Sequence, residues 1–301
     1  MVVTMITATP ASRRVDRIAG APISWGVCEV PNWGYQLDAE RVMGEMRELG
    51  ISATEFGPDG FLPEAPAEKA EFLRGYGLQA VGGFLPVLLH DVDHDPMPEV
   101  DAFIDGCLAS GAGVVVLAAS TGVDGYDSRP VLDDAQWKAM LTNLDRISDR
   151  AVDRGFIATI HPHIGTMVEN ADDVQRVLYG SHVRLCVDTG HLAAAGADPV
   201  AITLAHLDRV GHVHLKDVDG RKAAQVVSGE VAFSDAVRDG LWTVLGAGSV
   251  DVAAMIDALE THGYTGWYVL EQDLMLADEP EGDGPKADVA ACLSFVTERL
   301  A

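Results

Sequence analysis

A (β/α)8 barrel is the fold this sequence predicts, as one domain over residues 17–301, and three observations predict it. Eight short runs rich in β-branched and aliphatic residues recur along the chain. Longer stretches with apolar residues at three-to-four spacing lie between them, the pattern of repeated βα units and a parallel sheet. No linker divides the chain, and its 301 residues exceed the roughly 250 that such a barrel typically needs.

The elements follow in order. The runs are residues 21–26, 53–56, 79–85, 114–118, 157–161, 183–187, 210–215 and 267–270. Helices are expected over 39–49, 98–110, 134–154 and 250–261, with Gly50, Gly111, Gly155 and Gly263 near their ends, where glycine commonly stops a helix. Residues 217–248 show no period, are too long for an ordinary connection and follow the seventh run, so an active-site loop is expected there. A second segment rich in glycine, proline and acid, 278–284, is expected to help cover the same mouth. Residues 1–16 read as a disordered lead-in. No GxGxxG turn follows an early strand, which speaks against an open dinucleotide-binding sheet.

Composition narrows the function. With 46 acidic against 21 basic side chains, the formal net charge is -25, which repels phosphate backbones and anionic membrane surfaces. Nucleic acid and membrane are therefore not expected as partners, and a small neutral polyol or sugar suits the field better. The cysteines Cys28, Cys107, Cys186 and Cys292 show no paired spacing, so reduced thiols in the cytoplasm are expected. Arg13, Arg14 and Arg17 are not followed by the apolar region of a secretory signal, and no run approaches the about 20 apolar residues of a membrane span.

Barrel active sites form where the strands end at their C-terminal side, and the polar residues concentrate after the last four runs. The fifth ends in Ile160-His161-Pro162-His163-Ile164-Gly165-Thr166, with Glu169 beyond; the sixth in Cys186-Val187-Asp188-Thr189-Gly190-His191. The seventh reads His212-Val213-His214-Leu215-Lys216-Asp217, and the eighth ends in Leu270-Glu271-Gln272-Asp273. Mixed imidazole and carboxylate ligands from different strands suit a divalent metal. One ligand from each strand makes the expected set His163, Asp188, His214 and Glu271, with Mn2+ the expected ion and Co2+, Mg2+ or Zn2+ the alternatives. Supporting partners are expected among Glu169, His191, His212 and Asp217.

Each residue has a plainer reading. Asp188 alone reads equally as an N-cap of the next helix, and a histidine in an apolar strand is usually a hydrogen-bonded core residue. Glu55, ending the second run, reads equally as a substrate contact and as a rim salt bridge. Trp25, Trp33, Phe61 and Phe84 are stacking candidates for a sugar ring, or core packing. Four histidines or carboxylates at the ends of four successive strands outweigh these separate readings.

The motifs resemble the xylose-isomerase-like barrel superfamily of sugar isomerases and epimerases. Asp188 in VDTGH, His214 in HVHLKD and Glu271 in LEQD match three ligands of its ketose 3-epimerases, while His163 departs from their first glutamate. The segment IHPHIGTMVEN, with APISWGV and ATEFGPDGFLP, looks instead like the inosose dehydratases, metal-dependent lyases that remove water from 2-keto-myo-inositol. The resemblance implies a metal-stabilised enolate, with Glu271, His161, His191 and Lys216 as the acid and base candidates and Glu55 as a further catalytic candidate that reaches the substrate from across the barrel. A ketose isomerase or 3-epimerase is the nearest alternative, and a non-catalytic sugar-binding protein a further one. A DNA-repair endonuclease of the superfamily would need an Asp-x-His pair after the seventh strand, which Asp217-Val218-Asp219-Gly220 does not provide. Barrels of this kind often pair, so a homodimer is expected.

Overall fold

The computed structural model describes residues 14–301. The expected lead-in falls outside the described residues up to position 13, and Arg14–Arg17 form a short 3-10 turn. The barrel staves are β1 (Ile18–Gly20), β2 (Ala53–Thr54), β3 (Gln79–Ala80), β4 (Gly82–Val87), β5 (Val114–Ala119), β6 (Ile157–Ile160), β7 (Arg184–Asp188) and β8 (Val210–Leu215). After β8 come a small hairpin of β9 (Asp217–Val218) and β10 (Trp242–Thr243), and then the last stave, β11 (Tyr268–Leu270).

Every pairing in the main sheet is parallel, in the order β3-β2-β1-β11-β8-β7-β6-β5-β4. The two ends of that order meet at Val81. Its N–H donates to Thr54 O, and its own carbonyl accepts from Gly113 and Val114. The third stave is thus one strand broken at Val81, and the nine segments close as an eight-stave barrel.

The helices are α1 (Ala39–Glu48), α2 (Pro66–Gly75), α3 (Met97–Ser110), α4 (Asp134–Asp153), α5 (Ala171–Gly180), α6 (Thr189–Ala194), α7 (Pro199–Ala205), α8 (Gly220–Val227), α9 (Phe233–Arg238), α10 (Val252–His262) and α11 (Pro285–Leu300). Their starts are written locally: Asp133 and Gln136 form a reciprocal capping box on α4, as Asn170 and Asp173 do on α5. Their apolar faces and the outward residues of the staves make the main core. Small residues fill the lower barrel interior, among them Ala19, Ala53, Val81, Val116 and Cys186.

Two expectations change. The first stave is Ile18–Gly20, because Pro22 opens a 3-10 turn over Pro22–Trp25 instead of continuing a strand. That turn ties the barrel seam: Ser24 Oγ donates to Leu270 O and accepts from Gln272 N. The aperiodic segment 217–248 carries the hairpin and helices α8 and α9, elements too short to show a period. Among the described residues no helix is long and apolar enough to cross a membrane.

Candidate active site

Strand alternation carries the polar side chains inward. Leu185 and Val187 belong to the outer core, so Cys186 and Asp188 face the barrel interior. Val213 and Leu215 are likewise outside, leaving His212, His214 and Lys216 on the inner face. Tyr268 and Leu270 pack outside and Val269 inside, which turns Glu271 in. The same two-residue step brings Glu55 in after Ala53 and His161 in after Thr159.

Glu55 lies beneath two imidazoles, with Oε1 at 2.8 Å from His212 Nε2 and 3.1 Å from His214 Nε2. A carboxylate on Nε2–H fixes the tautomer of His214 and aims Nδ1 at the mouth, as supporting carboxylates do for metal-binding histidines. His214 Nδ1 lies 3.0 Å from Glu271 Oε2 and 3.8 Å from Asp188 Oδ2, yet it has no aligned hydrogen bond. These three residues bring donor atoms within 4.8 Å of one another. His161 Nε2 joins them at 3.2 Å from Asp188 Oδ2. Two carboxylates and two imidazoles that converge, with His214 Nδ1 between them left without an aligned hydrogen bond among the described residues, fit a divalent cation.

Asp188 satisfies both of its readings at once. Its Oδ1 accepts from His191 N at 2.8 Å and caps α6, while Oδ2 faces the site. Lys216 Nζ stands among three carboxylates, 2.7 Å from Asp273 Oδ1, 3.1 Å from Glu271 Oε2 and 3.2 Å from Asp188 Oδ2. Gly190 is what admits it, because a Cβ there would meet Lys216 Cγ at 2.5 Å.

The charges hold one another in place. Burial alone would raise Asp188 and Glu271, but Lys216 and the neighbouring histidines keep both below the usual carboxylate range. Burial likewise opposes the Lys216 ammonium, yet Asp188, Asp273 and Glu271 hold its pKa above the ordinary lysine value. Burial would lower His214, but Cys186, Glu271 and Glu55 push it well up. Burial keeps His163 and His191 well below the usual histidine value, and Cys186 is pushed up to about 11, a thiol rather than a ligand thiolate.

Above these groups opens a cavity of about 1240 Å³ lined by His161, His163, His191, His214, Lys216 and Glu271 together with Trp33, Phe61, Phe84, Tyr126 and Phe233. Phe233 comes from α9, so the long segment after β8 does reach the mouth. Residues 278–284 do not line the cavity. Tyr126 Oη donates a short hydrogen bond to Glu29 across the opening.

The expected ligands Asp188, His214 and Glu271 come together as read. His163 does not join them: it lies with His191 and Asp273, two residues further out than His161, because Pro162 and the turn at Gly165 carry the chain away from the barrel axis. Glu169 accepts from Gly165 N and pairs with Arg129, outside the cluster. Asp217 is buried but accepts from the backbone N–H of Gly246, Gly248 and Val250, stapling the loop before α10. Trp25 is core, with Nε1–H donating to Glu45, while Trp33, Phe61 and Phe84 do line the mouth. Asp273 was not singled out from the sequence, although it stands two positions after Glu271 as His163 does after His161. Tyr126 and Phe233 carry no sequence signal, since loops bring them in.

Residues 43–291 match the family model described as xylose isomerase-like TIM barrel. Rhizopine catabolism protein MocC of Rhizobium meliloti is 34% identical over 271 residues, covering 85% of this chain and 81% of that protein. The inosose dehydratase of Geobacillus thermodenitrificans is 30% identical over 263 residues, covering 84% and 88%. Among solved structures, the zinc-bound IOLI protein superposes with a TM-score of 0.67 at 14% identity, covering 94% of this chain and 98% of that one, a likeness of fold.

Proposed function

The chain belongs to the xylose isomerase-like TIM barrel family, and from that we propose that it is a metal-dependent lyase that dehydrates a keto-polyol such as 2-keto-myo-inositol. The observation that carries this reading is the Glu271 carboxylate beside the Lys216 ammonium, 3.1 Å apart at the cavity floor. The relatives named inosose dehydratase, at about 30% identity, supply the substrate class.

Asp188, His214 and Glu271, with His161 beside Asp188, would hold the ion, Mn2+ by choice over Zn2+, Co2+ or Mg2+. A bound divalent ion supplies Lewis-acid polarisation of the substrate carbonyl. Glu271, kept ionised, accepts the proton from the carbon next to the carbonyl, and the C–H electron pair passes into the enolate. Lys216, kept protonated, faces the developing oxyanion and gives its proton to the departing β-hydroxide as the C–O bond breaks. Water leaves, and the enol relaxes to a dione. Glu55 holds His214 from below, and Trp33, Phe61, Phe84, Tyr126 and Phe233 line the mouth above the site. An epimerase would need a second carboxylate facing Glu271 across the substrate, and the fifth stave provides His161 and His163 in that quarter.

The test is proton NMR of Mn2+-loaded protein with 2-keto-myo-inositol in D2O. Water loss to a dione is expected, with kcat in Lys216→Met reduced by at least about 10²-fold. Exchange or inversion at a ring carbon without water loss would sink the dehydratase reading in favour of an epimerase.

A further inference from the structure

The elimination leaves unused a second buried set of donors. His163, His191 and Asp273 bring ligand atoms within 4.8 Å of one another, and all three line the cavity. His163 Nδ1–H donates to Ile164 O at 2.7 Å, which leaves Nε2 as a bare acceptor. His191 is 1% exposed, and among the described residues neither ring nitrogen has a hydrogen-bond partner; Nε2 lies 3.2 Å from Asp273 Oδ2 but out of line for a hydrogen bond. Buried polar nitrogens are ordinarily paired, so these have a partner to find.

The surroundings prepare them as ligands. The two imidazoles stack with ring centres 3.7 Å apart, between Tyr126 at 4.3 Å from His163 and Trp242 at 5.1 Å from His191. The charge also leaves room. Asp188, Glu271 and Asp273 surround the Lys216 ammonium and Glu55 lies against His212 and His214, so four buried or nearly buried carboxylates share one ammonium, and a single divalent ion leaves that cluster still negative.

We infer that His163, His191 and Asp273 form a second divalent-cation site, beside the one held by Asp188, His214 and Glu271 and open toward the cavity. Two imidazoles and one carboxylate with vacant positions suit Mn2+, Zn2+ or Fe2+. The open side takes a hydroxyl oxygen of the bound polyol, a ligand class that rests on the reading above; the cation site does not. Lys216 touches carboxylates of both sets, so the two ions would be close neighbours.

The experiment titrates chelator-stripped full-length protein with MnCl2 and counts bound ion by the EPR signal of free Mn2+. About two equivalents per chain are expected, with a bound-state spectrum broadened by coupling between neighbouring ions. His163→Gln and Asp273→Asn, each checked by circular dichroism, are expected to bind about one equivalent, and Asp188→Asn to lose the other. One equivalent in the wild type, lost in Asp188→Asn alone, overturns the second site and leaves the proposed lyase standing. Two equivalents untouched in both His163→Gln and Asp273→Asn overturn it as well. No bound Mn2+ in the wild type overturns this site and the metal part of the proposed function together.

Discussion

His161 Nε2 lies 3.2 Å from Asp188 Oδ2, both side chains buried where neighbouring staves end. That contact puts His161, and not His163, beside Asp188, and the proposed ligand set follows it. His161→Ala is expected to weaken Mn2+ at that set by at least about tenfold, while His163→Ala leaves that equivalent within about twofold. Isothermal titration calorimetry separates the two, and equal losses would return His163 to the first set.

Gly190 admits Lys216 into the carboxylates, since an added Cβ would meet Lys216 Cγ at 2.5 Å and Trp242 Cζ3 at 2.7 Å. Gly190→Ala is expected to lower kcat by about 10²-fold, as displacements near 1 Å commonly do, with KM moving less. Steady-state kinetics on the folded variant decides it. An unchanged kcat would take the placement of Lys216 out of the mechanism.

Asp217 holds the chain between β10 and α10 through the N–H groups of Gly246, Gly248 and Val250, at 2.9, 2.9 and 3.0 Å. Asp217→Ala leaves those donors without an acceptor and is expected to destabilise the fold by roughly 3 kcal/mol. Guanidinium unfolding of metal-free protein measures it. A loss below about 0.5 kcal/mol would mean that water replaces the carboxylate.

The metal-free protein is expected to lose stability as the pH falls from about 7.5 to about 5.5. Burial holds His163, His191 and His212 below the ordinary histidine value, so below about 6.5 the unfolded chain binds more protons than the folded one. His214, raised in the fold, acts oppositely: its contribution is present below about 6.5 and is lost as pH rises through its folded value. Asp188, Glu271 and Glu55 are held low, and their contribution is lost only below about 4.5. With His90 also held low by burial, four depressed histidines outweigh one raised. Melting temperatures of chelated protein across that range check the sign, and a rise toward acid would refute it.

The barrel was legible because its signals are local. Apolar runs such as 210–215 alternate with amphipathic stretches, and β8 occupies those residues as read. Alternation along that run sets His212 and His214 on one face. The opening stave was misplaced because Ala21-Pro22-Ile23 is apolar in composition, while Pro22 lacks the N–H that a continuing strand needs.

Periodicity and strand-end position follow from neighbours along the chain, so the fold class and the approach of Asp188, His214 and Glu271 to the barrel mouth were written locally. Which side chains meet there follows from contacts between distant segments. His161 and His163 share a face in sequence, yet Pro162 and the turn at Gly165 deliver one to Asp188 and the other to His191 and Asp273. Glu55 reaches His212 across 157 positions, and Phe233 arrives from the segment after the seventh stave. Barrel closure sets those distances, and closure is a property of all eight staves at once.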